Sequence, residues 1–292
     1  MEKLIYSNLN EAFVEELARL KANGSVVNSR GSKQLERTFV NLTIKDPTQI
    51  DILVPARKFN KNYAIAEWLW YLSANQKVNN ISKLASIWSD IQDSYGEVES
   101  NYGSYIFPPN PQCLLSQWDW VVEELKKDPD SRRATLAINQ PYHKEKNSKD
   151  YPCTQYIHFF IRDNKLDMGV YMRSNDSIFG FCNDVFTFAL FQQLMLNHLK
   201  GKGLDVELGQ YHHHAGSFHI YERHFKMMDT ILNNYYIQTL GSYYPESDRT
   251  VLNPGLTYRK ILSLRADIPA KEIKKEEIFE HVNKFKGVLF NG

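Results

Sequence analysis

The residues with most chemical potential lie in the run Arg173-Ser-Asn-Asp-Ser-Ile-Phe-Gly-Phe-Cys-Asn-Asp184, which combines a cation, a hydroxyl, amides and carboxylates just ahead of a long apolar segment. Nearby, Tyr151-Pro-Cys153-Thr supplies a thiol, and Asp130-Ser-Arg-Arg133 supplies two more cations. Guanidinium groups grip a phosphate dianion through paired N–H donors. Arg30, Arg132, Arg133 and Arg173, with the Ser174 hydroxyl, would together hold a monophosphate, although any one of them taken alone is an ordinary surface arginine. Cysteine attacks as the thiolate, which neighbouring cations favour. Cys153 therefore reads either as a sulfur nucleophile or as the small buried apolar side chain that most free cysteines are. Taken together, these groups suggest a nucleotide site with a sulfur nucleophile.

Other groups carry two readings each. Asp184 suits the N-cap of a helix over residues 184–200, a role compatible with ligand recognition. Glu67 lies within Ala66-Glu-Trp-Leu-Trp-Tyr71. Burial among those aromatics would raise its pKa toward general acid–base use, whereas an amphipathic helix would leave it exposed. On a strand only His212 and His214 of the His212-His-His214 run share a face, and no cysteine or carboxylate stands at zinc-like spacing, so no metal is expected. His219 and Tyr221 share a strand face and could reach a sugar hydroxyl, or pair at the edge of the core. Cys113 and Cys182 are assigned to packing.

The elements that must position these groups are legible from periodicity. Helical spacing covers residues 8–23, with Asn10 as cap and Gly24 as stop, and residues 61–73, 78–92 and 113–127. Alternation marks strands at 35–44, 133–138, 154–162 and 166–172, with Asp163-Asn164 as a hairpin turn between the last two. Further strands are expected over 206–214 and 217–221, then a helix from about residue 222 and a charged amphipathic helix over 271–286. Runs of strand and helix without a strict βα repeat indicate one α+β domain spanning 1–292. Among the 292 residues, 42% are apolar and the net charge is +1. No global field points to nucleic acid or to a membrane surface. Three cysteines, no signal-like N-terminus and no bilayer-length apolar run lead us to expect a reduced, cytoplasmic protein.

In order along the chain, Arg30-Gly-Ser, Glu67-Trp-Leu-Trp-Tyr-Leu72, Ile87-Trp88, Asn101-Tyr-Gly103, Asp130-Ser-Arg-Arg133, Pro152-Cys153, Arg173-Ser-Asn-Asp176, Gly180 and His219-Ile-Tyr221 resemble the thymidylate synthase superfamily over about residues 30–226. Residues 237–292 diverge from it. Within it, the 173–184 run, Ser100-Asn-Tyr-Gly103 and Gly216-Ser-Phe-His-Ile-Tyr-Glu-Arg-His224 are most similar to phage deoxycytidylate hydroxymethylases. The resemblance implies a homodimer built on a twisted mixed sheet, with 5,10-methylenetetrahydrofolate as one-carbon donor. It assigns Cys153 to C6 of the pyrimidine, and Arg30, Arg173 and Ser174 to the 5′-phosphate, with Arg132 and Arg133 reaching that phosphate from the partner subunit. His219 and Tyr221 would hold the sugar 3′-hydroxyl and Glu67 would order water. Tyr102 would lie near the nucleophile, and Trp88, Asp176 and Gly180 would belong to the folate side.

The departures from the family pattern select the substrate. Synthases carry Asn where this chain has Asp184, and a carboxyl group suits the cytosine edge, with its N4 donor and N3 acceptor. Thr154 stands where the synthases usually have His. The segment Phe285-Lys-Gly-Val-Leu-Phe-Asn-Gly292 does not resemble the synthase tail that excludes water. The expectation is hydroxymethylation of dCMP at C5. CMP as substrate, methylation of dCMP or dUMP, and a catalytically idle RNA-binding homologue are the alternatives.

Overall fold

The computed structural model describes residues 4–29, 31–112, 114–144, 148–238 and 246–291. Strand β1 (Leu4–Tyr6) leads into helix α1 (Leu9–Asn23), then the hairpin β2 (Ser25–Ser29) and β3 (Ser32–Ile44). Helices α2 (Lys61–Leu72), α3 (Ile87–Ile91), α4 (Gly103–Ile106) and α5 (Gln117–Lys127) follow. The middle of the chain forms β4 (Thr135–Ala137), β5 (Thr154–Arg162), β6 (Lys165–Met172), the short β7 (Asn175–Asp176), α6 (Gly180–Gly201) and β8 (Glu207–Tyr221). Helices α7 (Phe225–Gln238), α8 (Tyr258–Ser263) and α9 (Lys275–Leu289) close it. The eight strands make one mixed sheet in the order β1-β3-β8-β6-β5-β4, with β2 on β3 and β7 on β8. The α+β expectation holds.

Helix α6 organises the core. Phe181, Val185, Phe186, Phe188, Leu190, Phe191 and Leu194 are buried around its whole circumference, the pattern of a helix enclosed by protein. Each such side chain contributes about 1.5–3 kcal/mol of burial. The helix covers the sheet face that carries Met168 and Val170 of β6 and Tyr211 and His213 of β8, all fully buried. Among the described residues no helix covers the partly exposed stack on the opposite face, where Tyr156 lies on Tyr171 at 4.1 Å and Tyr171 on His214 at 4.2 Å.

Several boundaries differ from those read in the sequence. Asn8 caps α1, accepting from the Glu11 amide, and Asn10 is buried inside it. Residues 78–92 form a 3-10 turn at Ile81–Lys83 and the short α3. Helix α5 begins after its cap Ser116, and Cys113 lies outside the described residues. β8 is continuous where two strands were expected, because β3 and β6 flank it and satisfy its backbone on both sides. The Asp163-Asn164 turn holds, with both residues at positive φ as a two-residue hairpin demands. Among the described residues no helix is long and apolar enough to cross a membrane.

Candidate active site

The thiol sits where three segments meet. Cys153 is half-buried at the entry to β5, and Arg173, just past the end of β6, reaches back to it with Nη2 3.8 Å from Sγ. Backbone carbonyls of Tyr151 and Pro152 accept from the same guanidinium at 2.6 and 3.2 Å, and the Tyr151 ring lies 4.9 Å beneath it. A cation so placed stabilises a thiolate. Asp150 ties this segment to the next wall, accepting from the Ser100 amide and hydroxyl at 2.7 and 2.6 Å. Tyr102 then lies buried between the rings of Tyr71 and Phe188. Burial, and after it the Cys153 sulfur and the Asp184 carboxyl, push its phenol well above the ordinary value. Gly103 is required here because a Cβ would lie 1.6 Å from the Tyr71 carbonyl oxygen.

Two carboxyl groups form the adjoining wall. Glu67 is buried on α2 and accepts from the Tyr63 hydroxyl at 2.6 Å, while Trp88 Nε1 donates to that same hydroxyl at 3.1 Å. Burial raises Glu67 from 4.5 to about 7, against the opposing pull of Tyr63 and Arg57, which is the range of a working acid–base group. Asp184 lies in the second turn of α6, and its Oδ2 accepts from Asn175 Nδ2 at 2.7 Å. The residue keeps some exposed surface, yet burial of the carboxyl and then Glu67 push it well above the usual carboxylate range. Asp184 is not the N-cap: α6 starts at Gly180, and Asp176 turns the chain into it by accepting from the Ile178 and Phe179 amides. Gly180 stands between these groups, since a Cβ there would meet Asn175 at 3.2 Å and Asp184 at 3.5 Å.

β7 pairs with the end of β8, setting Asp176 beside His219, and the Ser177 amide donates to the His219 carbonyl at 2.7 Å. His219 is buried, held below its ordinary pKa by that burial, and meets Tyr221 edge-on at 5.1 Å. Ser174 is half-buried between Arg173 and Asn175. Cys153, Tyr102, Glu67, Asp184, Arg173, Ser174, Asp176, Gly180, His219 and Tyr221 thus line linked segments, with Trp88 joined through Tyr63. Arg132 and Arg133 stand apart. Arg132 is exposed, and Arg133 is paired with Glu124 of α5 through two bonds of 2.8 Å, on the far-edge side of the sheet. Arg30 lies outside the described residues. His212 and His214 engage Thr43 and Asn41, and no metal-holding cluster occurs among the described residues. Cys182 is fully buried in α6, its thiol pushed up to about 12 by that burial.

Sequence reasoning missed Tyr63, Asp150 and His213 as contributors, and took in Asn175 only as part of the 173–184 run without a role of its own. Tyr63 was within reach, being four residues before Glu67 on one helix face. No local signal marks the others.

A flat heteroaromatic co-substrate would find suitable surroundings beside these groups. Ile87 and Phe179 leave apolar side chains exposed next to Trp88 and Asp176, and the buried Ser177 hydroxyl and Asn101 Oδ1 have no hydrogen-bond partner among the described residues. A family model for thymidylate synthase matches residues 11–240. The deoxycytidylate 5-hydroxymethyltransferase of Enterobacteria phage T4 is 32% identical over 222 residues, spanning 72% of this chain and 85% of that protein. A deoxyuridylate hydroxymethyltransferase of Bacillus phage SP01 is 29% identical over 229 residues, spanning 74% and 57%. Among solved structures, thermostable thymidylate synthase A from Bacillus subtilis superposes with a TM-score of 0.66 at 21% identity, over 83% of this chain and 87% of that one. The chain belongs to the thymidylate synthase family.

Proposed function

We propose that this protein transfers a hydroxymethyl group to C5 of dCMP, consuming 5,10-methylenetetrahydrofolate and water and releasing tetrahydrofolate. The observation that carries the reading is Asp184. A carboxyl in place of the family's amide, beside Glu67 and close enough to act on the Tyr102 phenol that also feels the Cys153 sulfur, complements a cytosine edge. The T4 relative acts on deoxycytidylate according to its name, and the likeness to a deoxyuridylate enzyme makes uracil the competitor to test.

In this reading Cys153 Sγ bonds to C6 of the ring and C5 becomes nucleophilic, with Arg173 steadying the thiolate beforehand. Bound methylenetetrahydrofolate supplies the one-carbon unit, against Trp88, Asp176 and Gly180. Joining the one-carbon unit to C5 displaces the C5 proton and lets tetrahydrofolate leave; Glu67, hydrogen-bonded to Tyr63, orders the water that supplies the new hydroxyl and moves protons, and Tyr102 stands next to the sulfur to hold or pass one. Elimination of Cys153 from C6 frees the product. Arg173, Ser174 and Arg30 hold the phosphate, and His219 and Tyr221 hold the 3′-hydroxyl. The aromatic sheet face around Tyr171 and His214, which no described helix covers, seats a second copy, whose Arg132 and Arg133 complete the phosphate site. The single catalytic unit then works as a homodimer.

The reading is tested by incubating the enzyme with methylenetetrahydrofolate and, separately, dCMP, CMP, dUMP and UMP, then weighing each product and following dihydrofolate. We expect hydroxymethyl-dCMP without dihydrofolate. A methylated product accompanied by dihydrofolate, or turnover of uracil nucleotides only, would overturn it.

A further inference from the structure

A neutral carboxyl group is ambidextrous toward pyrimidines. With its hydroxyl opposite N3 and its carbonyl oxygen opposite N4–H it pairs with cytosine. With the proton moved to the other oxygen it pairs with uracil, whose N3 donates and whose O4 accepts. An acid in the base pocket therefore selects one base only if something decides which oxygen carries the proton.

Behind Asp184 lies a buried chain that can make this decision. The Tyr211 hydroxyl is 3.1 Å from His213 Nδ1, His213 Nε2 is 2.9 Å from Asn175 Oδ1, and Asn175 Nδ2 is 2.7 Å from Asp184 Oδ2. Tyr211 and His213 are fully buried and Asn175 nearly so. We infer that Tyr211, His213 and Asn175 form a one-way donor chain that holds Oδ2 as the carbonyl oxygen and places the proton on Oδ1, so that Asp184 reads cytosine and refuses uracil. The inference deepens the cytosine reading above and rests on it.

The polarity follows from the partners. Asn175 Oδ1 can only accept, so the one proton of a neutral His213 sits on Nε2, and Nδ1 accepts from Tyr211. Burial keeps His213 neutral, holding its imidazole down to about 3. An oxygen already accepting from an amide N–H binds a proton less well than its unengaged twin, and Oδ1 has no hydrogen-bond partner among the described residues. The Glu67 and Asp176 carboxyls face Asp184 and disfavour its ionised form, and the Asn175 amide favours it. The carbonyl oxygen keeps a second lone pair for the exocyclic amine. These three are positioning residues, acting on the base through Asp184.

Two measurements test this on the full chain. With histidine labelled by 15N in ligand-free protein, and the His213 resonances identified by their loss in His213→Gln, a neutral Nε2–H ring is expected. An Nδ1–H ring or an imidazolium overturns the chain's polarity whatever the activity. In kinetics, His213→Phe removes the donor but keeps a ring against Phe181, and the dCMP-to-dUMP ratio of kcat/KM should fall about tenfold, the worth of one such bond. His213→Gln, which retains an N–H donor, should restore most of it. In an Asp184→Asn background, where the amide fixes its own donor, His213→Phe should leave the ratio within about twofold. An unchanged ratio in His213→Phe alone, from a wild type that prefers dCMP, refutes the inference. Absence of turnover by the wild type on any of the four nucleotides instead sinks the functional reading, and with it this account of base choice.

Discussion

Replacing Glu67 by glutamine preserves the shape of the side chain and its acceptor for the Tyr63 hydroxyl while removing a buried charge. The wild-type carboxyl titrates at about 7 rather than the ordinary 4.5 because burial penalises its ionised form. Below about pH 4.5 it is protonated in folded and unfolded chains alike and its full contribution is present. Between 4.5 and about 7 the unfolded chain releases the proton while the folded chain retains it, so stability falls as pH rises. Above that window the loss is complete, and at about 1.4 kcal/mol per pH unit it amounts to about 3 kcal/mol. Glu67→Gln does not titrate, so its stability relative to wild type should climb by about that amount across the window. The new amide adds a constant cost of about 1 kcal/mol for its unpaired N–H groups. Relief of Asp184, which Glu67 also pushes upward, acts in the same direction as the climb. Urea unfolding of both proteins across the pH range reads the difference directly. A flat difference, or one that favours wild type increasingly as pH rises, would refute the claim that Glu67 is a desolvated acid. The same variant should lose nearly all turnover if that acid moves protons.

Further outcomes follow from the same geometry. Cys153→Ala should abolish release of tritium from C5-labelled dCMP while nucleotide binding persists, and retained release would exclude the covalent route. Asp184→Asn should reverse base preference toward dUMP, with kcat/KM for dCMP falling by about 100-fold as an unsuited donor meets the N4 amine; competition between the two nucleotides measures it. Gly103→Ala should cost more than about 4 kcal/mol or prevent folding, because its Cβ would overlap the Tyr71 carbonyl oxygen; soluble yield and thermal unfolding report it.

Local pattern determined much of this protein. Alternation placed β5 over Thr154–Arg162, and the Asp163-Asn164 dipeptide placed its turn, because both depend on neighbours in the chain. Side-chain chemistry raised Cys153, Arg173, Glu67 and Asp184 as candidates beside ordinary structural readings, and the family resemblance gave them roles. Pattern failed where a distant partner chose the outcome. The apolar run that suggested a helix over 78–92 breaks into short turns, and one of them delivers Trp88 to Tyr63. Asp184 looked like a cap, yet Asp176 turns the chain and leaves Asp184 to accept from Asn175, since β7 pairs with β8 and fixes where α6 begins. Only tertiary structure set His213 behind Asn175, across 38 residues of chain, and Asp150 against Ser100 across 50. Contacts of that range leave no period in a sequence, because burial and hydrogen-bond satisfaction are settled when separate segments meet, not along any one of them.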